Sequence, residues 1–199
     1  AGVTIPTSAE VESKKGIKGS CDLTMYNGFD DPAWDWEFLV PGSALPTEDG
    51  EVTIYPGGEF RYLLNLENTG NVNVSDMIII DIFPFVGDQA ITFESPRGSD
   101  FEVFLKEPID IKAPFDGLVT VYYTTETNPC RPELVTTTGM PVNPVNCTEN
   151  PNWSSTPPAD ISAVKAIKIE FNPGTELTSI NPISGAGGAF NIFQAEVIM

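Results

Sequence analysis

Asp81 interrupts an otherwise apolar run from Met77 to Phe83. An acid inside such a strand costs free energy unless it is paired or protonated, so Asp81 is a candidate for moving a proton. The plainer alternative is a side chain hydrogen-bonded to backbone at the strand end before Pro84. Two further acidic sets lie on turn-rich segments: Asp30, Asp31 and Asp35, then Asp88, Asp100 and Glu102. Hard oxygen ligands on turns suit calcium. Asp30, Asp31 and Asp35 are the candidate calcium ligands, against a reading of both sets as solvated loops; no EF-hand spacing is present. Cys130 and Cys147 flank a loop rich in Pro, Thr and Asn. A bridge between them would close that loop, stabilise the fold by roughly 3 kcal/mol and imply an oxidising compartment. Cys21 is then left over, either buried and free or available to another chain.

Several chemistries are absent from this set. The chain has no histidine, which removes His-based triads, His metal sites and the commonest general base. No Walker loop, dinucleotide fingerprint or Cys-x-x-Cys motif occurs. The sequence therefore predicts a non-enzyme without an organic cofactor, calcium being the one candidate. The net charge of −18, from 10 basic and 28 acidic residues, argues against nucleic acid or an anionic membrane as partner. No run of apolar residues is long enough for a transmembrane helix. Ala1 opens a polar segment without the basic and apolar regions of a signal peptide, as expected of a mature or excised chain.

The elements that would position these residues are strands. Phe60, Tyr62, Leu64 and Leu66 alternate with Glu59, Arg61, Asn65 and Glu67, which predicts one buried and one wet face, with Leu63 as an apolar residue on the wet side. Asn68-Thr69-Gly70-Asn71 supplies turn chemistry through tolerance of positive φ. Val72 and Val74 begin a return strand that continues from Met77 to Phe83, either covered on both faces or with its outer face meeting another part of the protein, and ended by Pro84. Residues 14–23 are expected to form the first strand, or a strand pair broken by Gly16 and Gly19, and further strands are expected at 34–38, 52–55, 90–93, 101–105, 118–124, 165–171 and 190–199. Asp160 is placed to cap one helical turn over Ile161 to Val164. Trp34 and Trp36, with Tyr26, are read as core, or as a ligand-contacting surface.

About nine short strands, turns between them and at most one helical turn predict an all-β chain folded as a β-sandwich with long loops. Residues 1–13 are expected to form an extended arm. Residues 14–199 are expected to form a single sandwich domain, with a loop-rich insertion at 26–50 and a disulfide-stapled loop at 128–158.

PGGEFRYLLNLENTGN followed by DIFPFVGD resembles the Asn-Thr-Gly tandem repeat domain of Gram-positive surface and adhesin-like proteins. The matching residues are Pro56, Gly57, Tyr62, Asn68, Thr69, Gly70, Asp81 and Pro84. Downstream, PRGSDF, VYYTTETNPCRPE, Cys147 and Trp153 to Lys168 fit a longer version, so the resemblance covers Lys15 to Phe171. It implies an immunoglobulin-like sandwich, secretion, and a role as a wall-linked stalk or adhesive repeat. The 26–50 segment is longer than the family's lead-in, and Cys21 is outside its pattern.

The resemblance also implies a candidate crosslink. Some such domains join a Lys of the first strand to an Asn of the last beside a buried acid. Here Lys18, or Lys14 or Lys15, would bond Asn191 with Asp81 as proton shuttle, the alternative being no bond at all. The expected function is thus a non-catalytic extracellular module at the cell surface, contacting neighbouring domains or a host or surface ligand. One alternative is a structural subunit that assembles by strand pairing into a filament or surface layer, through residues 1–13 and Asn191 to Met199. A second is a ligand- or ice-binding domain.

Overall fold

The computed structural model describes residues 9–19, 37–38, 57–89, 96–133, 147–179 and 190–199. It is all-β: ten strands in antiparallel sheets, with one short 3-10 turn and no α-helix among the described residues. Where the sequence predicts one domain, contacts divide the chain into two compact units. The first takes Ala1–Ser75, Ile109–Gly117 and Gly174–Met199; the second takes Asp76–Pro108 and Leu118–Pro173.

The first unit holds a five-stranded sheet. Its strands are β1 (Val11–Gly19), β2 (Glu37–Phe38), β3 (Phe60–Asn68), β6 (Asp110–Ile111) and β10 (Ile192–Ile198). Their order is β2-β1-β3-β10-β6. β1 begins at Val11, so the last three residues of the expected arm are sheet, paired with Asn68, Glu67 and Leu66. Gly16 and Gly19 do not interrupt it.

β3 is an interior strand, flanked by β1 and β10 along its length. Residues directly opposed in an antiparallel pair share a face. Leu64 and Leu66 stand opposite Ala195 and Phe193, and on this apolar face Phe60, Leu64, Phe193, Ala195 and Val197 are buried. The Phe115 ring meets Phe193 edge-on at 5.5 Å and Phe190 at 5.6 Å, geometries that favour aromatic pairs. On the other face, Leu63 is buried opposite Glu196. The expectation of a wet position for Leu63 fails because an interior strand can be covered on both sides.

A two-stranded ladder, β4 (Val74–Ser75) with β9 (Glu176–Leu177), completes this unit. It sits beside the Asn68-Thr69-Gly70 turn. The turn is organised by a buried side chain rather than by positive φ. Asn68 Nδ2 donates to the Val72 and Leu177 carbonyls, each at 2.8 Å, and Oδ1 accepts from Gly70 N at 3.0 Å. Glu10 O accepts from both Thr69 N and Gly70 N. Ser179 Oγ donates to Gly70 O at 2.8 Å, and Ser179 N donates to Asn73 Oδ1.

The second unit is built on a three-stranded sheet of β5 (Ile78–Ile82), β7 (Val119–Thr124) and β8 (Ala166–Phe171), with β8 central. The run from Met77 to Phe83 is therefore not the hairpin partner of β3: it belongs to another sheet and pairs with β8. Ile80, Ile82 and Ala166 pack together with Ile78, Phe85 and Trp153, while Ile167, Ile169 and Phe171 are also buried. Pro84 follows the end of β5, as a residue without an amide donor requires. Asp160 caps the 3-10 turn Ile161–Ala163, its Oδ1 accepting from Ser162 N at 3.1 Å.

Glu102 to Leu105 alternates as a strand would: Val103 and Leu105 are buried, Glu102 and Phe104 exposed. It nevertheless joins no ladder among the described residues. A period of two records burial on one side; only pairing makes a sheet strand.

Candidate functional site

Two clusters of opposite charge, one per unit, gather the chemically able side chains. In the first unit, Glu196 lies on β10 and is buried. Its Oε1 accepts from Arg61 Nη1 at 2.9 Å, and Oε2 lies 2.5 Å from Lys112 Nζ. Lys112 also reaches Asp110 Oδ2 at 2.5 Å. The strands place these groups directly: Glu196 opposes Asp110 on one side and is flanked diagonally by Arg61 on the other. Lys112 follows β6, its backbone N donating to Gln194 O.

Burial by itself would raise the Glu196 carboxyl. Hydrogen bonds from Lys112 and Arg61, with their charges, outweigh it and hold the pKa below the ordinary value. For Lys112, burial works downward, but Asp110 and Glu196 hold the ammonium above its ordinary value.

In the second unit the centre is Lys168 on β8. Its ammonium lies 2.7 Å from Glu170 Oε1 and 3.3 Å from Glu133 Oε1. It also sits over the rings of Tyr122, at 5.2 Å, and Trp153, at 5.4 Å, where the aromatic faces attract a cation. Burial again pulls the pKa down, and the two carboxylates push it above the ordinary value. Lysines held protonated are poor nucleophiles, and a carboxylate held ionised is a poor general acid. Both clusters suit the fixing of strands by charge.

Cys130 and Cys147 form the expected disulfide, with Cα atoms 4.9 Å apart. Backbone bonds run beside it, from Cys130 N to Thr148 O and from Thr148 N to Asn128 O, each at 3.0 Å. Arg131, next to the bridge, is fully buried, and that burial lowers its pKa.

Asp81 is half-buried on β5, opposite Ile167. Lys18 opposes Arg61, which opposes Ile198 at one end of the five-stranded sheet. Asn191 is at the other end, its carbonyl accepting from Asn68 N at 2.9 Å. β3 separates β1 from β10, and seven positions of strand amount to roughly 23 Å, so the sheet does not bring Lys18 and Asn191 together. Lys14 and Lys15 oppose Asn65 and Leu64, whose β10 partners are Gln194 and Ala195. Asp81 belongs to the other unit.

Asp30, Asp31 and Asp35 lie outside the described residues, as do Cys21, Tyr26, Trp34 and Trp36. Asp88 is fully buried, accepting from Ser99 Oγ at 2.9 Å with Arg97 Nη1 at 3.4 Å. Glu102 pairs instead with Lys165. Sequence reasoning missed Glu196, Lys112, Arg131 and the pairing of Lys168. For Glu196 a signal existed: it interrupts an apolar strand as Asp81 does.

No family model, curated protein or solved structure matches the chain.

Proposed function

We propose that this chain is a non-catalytic extracellular module of a bacterial cell-surface protein, an immunoglobulin-like sandwich serving as a stalk or adhesive repeat. The observation that carries the reading is the Asn68 turn. Of the residues on which the surface-repeat resemblance rests, Asn68 bonds across to Leu177 of β9 and Gly70 accepts from Ser179, two residues beyond that strand. An Asn there is required by geometry: one side chain serves two carbonyl groups and one amide at once. The Cys130–Cys147 bridge supports the same reading through its compartment. The ion-paired state of Lys112, Lys168 and Glu196 supports a mechanical rather than catalytic use of charge.

Protease shaving of intact source cells tests the proposal. Release of peptides from this chain, without release of cytoplasmic markers, is the expected result; peptides appearing only after lysis would contradict it.

Strand-mediated assembly is the second reading. Among the described residues the five-stranded sheet is bounded by the two-residue strands β2 and β6, and sheet edges accept further strands. Concentration-dependent polymers in size-exclusion chromatography would select this reading; a strict monomer would reject it.

A further inference from the structure

The two chain segments that the disulfide joins are the same two that deliver partners to Lys168. One runs from Asn128 through Cys130 to Glu133, whose carboxylate pairs with the ammonium. The other runs from Cys147 to Ser154 and carries Trp153, whose ring lies against it. The second segment is also attached to the sheet edge. Tyr123 and Ser154 exchange backbone hydrogen bonds at 2.8 and 3.0 Å, and Thr124 Oγ1 donates to Pro151 O. Lys168, with its side chain only 13% exposed, is thus enclosed by a sheet neighbour, Tyr122, and by two segments held together at one covalent point.

We propose that the Cys130–Cys147 bridge is a redox latch: its oxidation keeps Glu133 on Lys168 beside Trp153, and its reduction releases Glu133 and opens that side of the enclosure while the β5-β8-β7 sheet persists. A dithiol supplies the two electrons. Its thiolate attacks one sulfur, the S–S bond breaks through a mixed disulfide, and the second thiol displaces the remaining cysteine. Two cysteine thiols and one oxidised dithiol result.

After reduction, the two segments keep with each other the hydrogen bonds of Thr148 to Thr127, Asn128 and Cys130, which water can replace, while Ser154 and Pro151 stay bonded to Tyr123 and Thr124. The pairs that depend on both segments lose their fixed geometry. Ile167 and Ile169 remain in the core through pairing of β8 on both sides, so the effect is local.

Amine acetylation with mass-spectrometric readout tests the latch on the full chain. In the oxidised protein Lys168 should react slowly and exposed Lys106 quickly. Reduction by dithiothreitol, or the double substitution Cys130→Ser and Cys147→Ser, should raise Lys168 acetylation at least fivefold with Lys106 and Lys112 unchanged. Glu133→Gln in the oxidised protein should give part of that rise. Hydrogen exchange should show β8 amides still protected after reduction. Unchanged Lys168 reactivity with both thiols free would overturn the proposal. So would no effect of Glu133→Gln, or a rise shared by Lys112 with loss of β8 protection, which would make the bridge a global staple.

Discussion

Asn68 Nδ2 donates a 2.8 Å hydrogen bond to the carbonyl of Leu177, 109 positions further along the chain. The same side chain serves Val72 O and Gly70 N and is fully buried. Asn68→Ala strands those backbone groups. At about 1–3 kcal/mol for each buried group left unsatisfied, a loss of roughly 3 kcal/mol in urea unfolding is expected. Asn68→Asp should be no better, because a carboxylate donates nothing. A loss below about 0.5 kcal/mol would reduce the turn to an ordinary surface feature.

Stability should form a plateau with limbs set by the Glu196 cluster. The Glu196 pKa is depressed in the folded protein, so its contribution is present above the unfolded value of 4.5 and is lost as pH falls through the lower folded value. Lys112 and Lys168 are raised. Their contributions are complete below the unfolded value of 10.5 and disappear as pH rises through the higher folded value. Glu196→Gln should flatten the acid limb and lower the plateau, read as melting temperature against pH. An acid limb identical to that of the parent protein would show that Glu196 is not held by its cations.

The intact mass of the protein should equal the sequence mass less two hydrogens for the Cys130–Cys147 bridge. A further loss equal to one ammonia is not expected from Lys18 and Asn191, given their separation by β3. Its appearance, mapped by peptide sequencing to that pair, would contradict the register.

The bridge itself should contribute roughly 3 kcal/mol in the chain-entropy account of a loop of this size. Paired unfolding curves of the oxidised protein and the Cys130→Ser, Cys147→Ser variant measure it. A variant as stable as its parent would show that the backbone bonds at Thr148 suffice alone.

Long alternating strands were legible before any coordinates. β8 buries Ile167, Ile169 and Phe171 and β10 buries Phe193, Ala195 and Val197, and burial writes that period of two into the sequence. The two-residue strands β4, β6 and β9 leave no such record, because a pair of residues has no period. Glu102 to Leu105 shows the converse, with the pattern present and no ladder among the described residues. The disulfide was legible because cysteine is rare and its loop was conspicuous. The Glu196–Lys112 and Lys168–Glu133 pairs were not, since nothing local tells which of 28 acids a lysine will meet. Asn68 was visible as a turn residue, but its role as a buried connector depends on Leu177 and Ser179, far along the chain.

The central claim is that this is an exported module with an oxidised, structural disulfide. Thiol trapping in source cells tests it most directly: free thiols are blocked before fractionation, and the block is then mapped on this chain. The account predicts that the protein is recovered in the cell-surface or extracellular fraction with Cys130 and Cys147 unmodified until reductant is added. Recovery in the cytoplasm with both residues blocked at the outset would contradict it.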